Sequence, residues 1–171
     1  MSEFMNVSEL AALIHNASLG DDDAFSRLYA VVCRPLYKIA RIALKTEEQA
    51  INAIKLTVNE SYEALPCAEI NDNGAFVEWI VKILCSRIKQ IYKNEGDAED
   101  TVASDGEFAD LRQALNSLPD IERLVLAVTR VCSCGAETAA RLCGYTEETV
   151  AVCLTNAEMT LKSAFSTYSE I

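Results

Sequence analysis

Few side chains in this chain have the type and spacing that covalent chemistry needs. His15 is the one histidine among 171 residues, so a Ser/His or Cys/His arrangement has a single candidate base, with no evident nucleophile beside it. Cys132, Cys134, Cys143 and Cys153 crowd toward the C-terminal end, but their spacing does not match the paired Cys-x-x-Cys of structural zinc sites. Asp21, Asp22 and Asp23 are three clustered acids without partner ligands nearby, and capping the helix that follows is the role their position suits. No phosphate-cradling glycine loop is present. No catalytic group, cofactor or metal is therefore expected, and the chain does not read as an enzyme.

What the spacing does permit is a nucleic-acid-reading frame. In AETAARLCGYTEETVAVCLTNAEMTLK, Ala136–Lys162, a short helix carries Ala139, Ala140, Leu142 and Cys143 on its apolar side. Gly144 can take the left-handed conformation that ends it, Thr146 can cap the next helix, and Tyr145 and Val150 have hydrophobic-staple spacing. Val150, Cys153, Leu154, Ala157 and Leu161 then recur at helical intervals. Two short helices across a glycine turn form a helix-turn-helix, although any compact helical domain can contain such a corner. A helix in the major groove brings basic groups to phosphates and Arg, Lys, Asn or Gln to base edges. Between Thr146 and Lys162 there are three acids, Glu147, Glu148 and Glu158, against one base, Lys162. Thr155 and Asn156 are left to read a base, and Arg141 on the preceding helix to reach a phosphate.

Composition sets the elements that must carry this frame. Half the residues are hydrophobic, and only three prolines and six glycines interrupt them, which favours an all-α protein of one or two small domains. The formal net charge of -11 repels nucleic acid and anionic membrane over the molecule as a whole. No apolar run approaches the ~20 residues of a membrane span, and no secretory leader opens the sequence. Met1-Ser-Glu-Phe4, ahead of a second methionine at Met5, looks like a cloning remnant. Seven cysteines in a helical, leaderless chain favour reduced thiols and a cytoplasmic location.

In order, the chain reads as four helices, an acidic linker and three or four more helices. Val7, Leu10, Ala11 and Ile14 share one face of the first helix, which Gly20 stops. The second carries Phe25, Leu28, Tyr29, Val32, Leu36, Ile39, Ala40 and Ala43, with Pro35 kinking it midway. Thr46 and Gln49 have capping-box spacing for the third, and Pro66 follows its end. The fourth has Phe76, Trp79, Ile80, Ile83 and Leu84 as its apolar stripe, and Lys82, Arg87, Lys89 and Lys93 outnumber its lone Glu78. Residues 95–110 hold seven acids, no base, one aromatic and two glycines, the composition of a flexible tether. Charge divides as -2 over residues 1–94, -7 over 95–110 and -2 over 111–171. The domains are thus expected at 6–94 and 111–168, each close to neutral and docked together over apolar surface that neither covers alone. In the second, Leu111, Leu115 and Leu118 form a short helix, and Pro119 starts another with Ile121, Leu124, Val125 and Val128.

Four segments together resemble the two-domain, extracytoplasmic-function type of bacterial sigma factor. Gly20–Ala40, GDDDAFSRLYAVVCRPLYKIA, is similar to the family's Gly-Asp…Ala-Phe…Leu-Tyr…Pro…Leu-Tyr pattern. Glu48–Leu65 falls on the helix that in the family grips the polymerase clamp, which implies polymerase contacts at Asn52, Lys55, Asn59 and Tyr62. Phe76–Lys93 falls on the promoter-melting helix, which implies that Trp79, Lys82, Arg87, Lys89 and Lys93 meet DNA there. Single-stranded bases stack on aromatics beside a basic groove. Leu111–Val128 followed by the helix-turn-helix completes the match.

Departures accompany the resemblance. Ile51, Asn52 and Lys55 stand where the family's clamp helix has an acidic pair and a glutamine, and Val58 where it has an aromatic. Ser86 and Gln90 replace an asparagine and an aspartate of the melting helix. Ala151, Val152, Cys153, Thr155 and Asn156 occupy the family's Lys, Ser, Arg, His and Arg positions in the recognition helix. In the same frame Cys134 and Cys143 fall on core leucine-like positions, while Cys132 and Cys153 are expected nearer solvent, open to thiol chemistry. Two readings follow. One is a transcription initiation factor that binds core RNA polymerase and directs promoter opening, with weak DNA reading by its C-terminal domain. The other is a sigma-fold interaction module that binds polymerase, another sigma or an anti-sigma protein without reading DNA.

Overall fold

A computed structural model of the chain describes residues 7–70, 72–95 and 109–166. They form eight α-helices, with no strand among the described residues. Most of the acidic segment at 95–110 lies outside the described residues.

The first four helices are α1 (Val7–Ser18), α2 (Asp22–Ala43), α3 (Glu47–Ala64) and α4 (Asn73–Glu95), with a 3₁₀ turn at Leu65–Cys67 after α3. Gly20, at φ 90°, turns the chain out of α1 in a backbone region that a side chain disfavours. The Asp21 carboxylate then accepts from the amide of Ala24, 3.0 Å away, and caps α2. Pro35 lies inside α2 on its exposed side, so the missing amide faces water, and the buried face from Phe25 to Ala43 continues past it. At the start of α3 the amide of Gln49 donates to the Thr46 hydroxyl (3.1 Å), and the amide of Thr46 donates to the Gln49 side chain (3.3 Å). The buried face of α3 is small and partly polar: Gln49, Ala50, Ala53, Thr57 and Ser61. Both hydroxyls return to carbonyls of their own helix, which lets α2 and α4 approach closely without an orphaned group.

The last four are α5 (Ala109–Asn116), α6 (Asp120–Cys132), α7 (Ala136–Cys143) and α8 (Glu147–Ser166). Helix α6 buries every residue from Arg123 to Val128, so its middle is enclosed on all sides while Ile121 and Arg130 reach solvent. Helices α7 and α8 cover it from the C-terminal group, and α2 covers it from the N-terminal group. One continuous core therefore runs from Leu10 on α1 to Cys153 on α8, taking in Leu28, Ile39, Phe76, Leu84, Leu124 and Val125. A smaller cluster of Leu118, Leu126 and Ala157 sits beneath α5 and α8. The docking expected from uncovered apolar surface is present, and α6 carries most of it.

The cysteines divide differently from expectation. Cys143 is fully buried, as its place in an apolar stripe implied, but Cys134 is half-buried. Cys153, expected near solvent, is 8% exposed, because it lies on the inward stripe of α8 with Val150 and Ala157. Cys132 is half-buried.

Candidate nucleic-acid interface

The basic helix α4 presents its charges in two ways. Lys82 and Lys93 are exposed. Arg87 is held within the N-terminal group, its Nε donating to Glu60 at 2.6 Å and its Nη1 to the Gln90 side chain at 2.7 Å. Lys89 points across to the C-terminal group, where its Nζ donates to the backbone carbonyl of Cys143 at 2.7 Å. The same ammonium stands 5.0 Å from the ring centroid of Tyr145. Trp79 is half-buried and leans on Phe76 with ring centroids 6.0 Å apart, so only part of its face is available for stacking.

On α3, Asn52, Lys55, Asn59 and Tyr62 are all exposed and share one side of the helix, at spacings that suit a single partner surface. Ile51 and Leu56 are exposed on the same helix. Tyr62 is braced from behind: its ring meets Phe25 edge-on with centroids 5.1 Å apart, and its hydroxyl donates to Asp22 at 2.5 Å. That hydrogen bond to a carboxylate raises the phenol above its ordinary pKa.

The helix-turn-helix forms as the residues required. Gly144 ends α7 in the left-handed region, at φ 68°. The Thr146 hydroxyl accepts from the amide of Thr149 at 3.2 Å, capping α8. The outer face of α8 shows Ala151, Val152, Thr155, Asn156 and Met159 to solvent. Thr155 donates its hydroxyl to the carbonyl of Ala151 at 3.0 Å, so the Asn156 amide is the side chain among these five with free donors and acceptors of the kind a base edge takes. Glu158 is paired with Arg130 at 2.7 Å. Arg141 is exposed, but its guanidinium lies 3.1 Å from the Glu78 carboxylate on α4.

The residues proposed for DNA thus fall into three sets: Lys82, Lys93, Thr155 and Asn156 are open to solvent, Trp79 and Arg87 are held within the N-terminal group, and Lys89 and Arg141 are engaged between the two helix groups. The seam has further members that the sequence did not single out. Arg112 on α5 donates to the carbonyls of Arg41, Leu44 and Lys45, placing a cation at the negative end of α2. Arg123, 1% exposed, binds Asp120 and lies 6.0 Å from the ring of Tyr92. Tyr92 in turn donates to the carbonyl of Ala43 at 2.7 Å, and burial raises its phenol far above its ordinary pKa. Uncovered apolar surface pointed to docking, but Glu78 entered the sequence reading only as the lone acid of a basic helix. The other partners stand far apart in the chain and leave no local pattern.

His15 is exposed in the last turn of α1, and the Ser18 hydroxyl beside it donates to the His15 backbone carbonyl at 2.7 Å, not to the imidazole. Among the described residues no group of three or more His, Cys, Asp or Glu could hold a metal ion, and no helix is long and apolar enough to cross a membrane.

No protein-family model matches the chain, and no curated protein matches it. Solved structures do. CnrH, solved in complex with the cytosolic domain of CnrY, superposes with a TM-score of 0.72 at 20% identity, over 92% of this chain and 97% of that one. The sigma factor RpoE, solved with the anti-sigma factor NepR from Bartonella quintana, gives a TM-score of 0.65 at 19% identity, over 83% of this chain and 96% of that one. Across nearly the whole length of that sigma factor, the chain has the sigma-factor fold.

Proposed function

We propose that the protein is a sigma-type regulator of transcription that binds core RNA polymerase and takes part in promoter opening through its N-terminal helices. The observation that carries this reading is the sigma-factor fold together with the outward face of α3. Asn52, Lys55, Asn59 and Tyr62 form there an exposed row on a helix braced by Phe25 and Asp22. Residues 6–94 and 111–168 act in this reading as two domains tethered by 95–110. Lys82 and Lys93 are ready for a phosphate backbone, and Trp79, Arg87 and Lys89 become available on rearrangement. Neighbours of the same fold were solved with an anti-sigma factor and with a cytosolic partner domain, which supports a protein partner of the anti-sigma kind here. The expected site of action is the cytoplasm.

A second reading is favoured by α8. Its solvent face holds no basic side chain from Glu147 to Thr160, and Arg141 is engaged by Glu78. A sigma-fold interaction module, binding polymerase or another regulator without reading duplex DNA, fits that face better than a promoter-reading domain does. Capture of core polymerase from the native host, followed by run-off transcription on genomic fragments, separates the two. Capture with new transcripts supports the initiation factor, capture without them supports the module, and no capture rejects polymerase binding altogether.

A further inference from the structure

Two cysteines distant in sequence meet at the seam. Cys85 lies on the buried face of α4, one turn before Lys89, and Cys143 closes α7 immediately before Gly144. They are 1% and 0% exposed. Their thiols lie close enough to shift each other's ionisation. Lys89 fixes the same register independently, since its amine reaches the carbonyl of Cys143 and the ring of Tyr145. Helices α4 and α7 pack directly here, and a Cβ on Gly144 would stand only 3.2 Å from the Lys89 amine.

The two thiols are not equivalent. Interaction with the Cys143 side chain, and then burial, raise Cys85 well above the ordinary thiol value. Cys143 is lowered despite burial, through its interaction with the Cys85 side chain and the nearby Lys89 ammonium. Half-buried Cys132 is pushed by burial up to about 11, and burial raises Cys134 too, so neither competes as a thiolate.

We propose that Cys85 and Cys143 are a modification site, an oxidation-formed disulfide that fastens α4 to α7 and holds the two helix groups together. Hydrogen peroxide serves as oxidant. As the groups part, the Cys143 thiolate attacks the peroxide O–O bond, which gives a sulfenic acid and releases hydroxide. On closure the Cys85 thiol attacks that sulfur. The S–S bond forms, the S–O bond breaks, and the hydroxyl leaves with the Cys85 proton as water. Two thiols lose two electrons, one peroxide accepts them, and two waters result once the hydroxide is protonated. A dithiol reductant reverses the bond by exchange. That the bridged form is withheld from polymerase rests on the sigma-type reading. Formation of the bridge does not.

The test uses the full chain. It is treated with hydrogen peroxide, alkylated under denaturing conditions, digested with trypsin and mapped by mass spectrometry. Two of the seven thiols are expected to be lost, with the peptide Ile83–Arg87 joined to Leu142–Lys162. Cys85→Ser and Cys143→Ser each abolish the joined peptide. Cys153→Ser, which alters the other cysteine of the same peptide, retains it. Dithiothreitol restores both thiols. If Cys85 and Cys143 stay alkylatable in the wild-type chain while exposed Cys67 oxidises, the proposal is overturned whatever the variants do. A cross-link through Cys153 overturns it equally. Polymerase capture by oxidised against reduced chain, measured separately, reports on the functional consequence alone.

Discussion

Lys89 on α4 donates its ammonium to the carbonyl oxygen of Cys143 on α7, 2.7 Å away. That carbonyl belongs to the last turn of α7, where no intrahelical amide remains to satisfy it and the helix dipole favours a cation. The ring of Tyr145, 5.0 Å from the ammonium, adds a cation–π contact. One lysine therefore ends a helix of the C-terminal group while rooted in the N-terminal group. In the sigma-type reading the same lysine serves DNA, and it cannot do both at once. The closed arrangement and nucleic-acid binding through Lys89 exclude each other.

Replacing Lys89 by Ala is accordingly expected to weaken the seam and not the individual helices. A half-buried charge-assisted hydrogen bond contributes about 1.5–3 kcal/mol, so a loss at the lower end of that range is expected. For a chain of this size each 1 kcal/mol lowers Tm by about 2–4 °C. Thermal unfolding followed by circular dichroism measures it, and an unchanged Tm assigns Lys89 a solvated role. Limited proteolysis adds a reading that a local defect would not move, since cleavage between the two helix groups should accelerate.

Gly144→Ala tests the turn from the backbone side. At φ 68° a non-glycine residue costs roughly 1–2 kcal/mol. The added Cβ also meets the Lys89 amine at 3.2 Å, so the amine has to shift and its hydrogen bond to the Cys143 carbonyl is disturbed. The variant should therefore lose about as much stability as Lys89→Ala. The double variant should lose less than the two combined, because both act on one contact. Strict additivity in a thermal or urea double-mutant cycle would separate the turn from the seam.

Much of this was readable beforehand, for physical reasons that differ by level. Local rules placed the Asp21 cap, the Thr46–Gln49 capping box, the Gly144 turn and the Thr146 cap, because each depends on residues within a few positions of one another. Helical periodicity gave the buried faces of α2 and α4. Apolar surface left uncovered on each domain also pointed to docking, without locating the contact. Periodicity could not say that α2 supplies that cover. Nor could it pair Glu78 with Arg141 or Cys85 with Cys143, which are long-range consequences of packing. Cys153 was misplaced because its family position is one of contact, whereas on this helix the residue points inward.

Alkaline stability should respond to Tyr92. Its phenol is buried against Arg123 and donates to the carbonyl of Ala43, and burial raises it far above the ordinary value. The folded state thus holds the neutral form while the unfolded state ionises near pH ~10. A raised folded value means the contribution is complete below that pH and is lost as pH rises beyond it. Urea midpoints for the native chain should fall above pH ~10. Tyr92→Phe should start lower, through the lost hydrogen bond, and fall less steeply. Parallel curves would place the alkaline loss in other groups, such as Cys132.

The outer face of α8 makes the last prediction. Ala151, Val152, Thr155, Asn156 and Met159 meet solvent there, and Glu147 and Glu148 occupy the first turn, where they favour the positive end of the helix. Glu158 is held by Arg130, so reversing its charge would also break an ion pair. The clean variant is therefore Glu147→Lys with Glu148→Lys. The unmodified chain is expected to bind duplex DNA poorly, since phosphate contacts supply most non-specific affinity and this face has none to offer. The double variant should bind random duplex more tightly. Its salt dependence should steepen by about 0.9 in log–log slope for each new phosphate contact. Fluorescence anisotropy over a salt series measures both. Sub-micromolar, sequence-selective binding by the unmodified chain would restore α8 as a promoter reader, with the Asn156 amide the first group to test by Asn156→Ala.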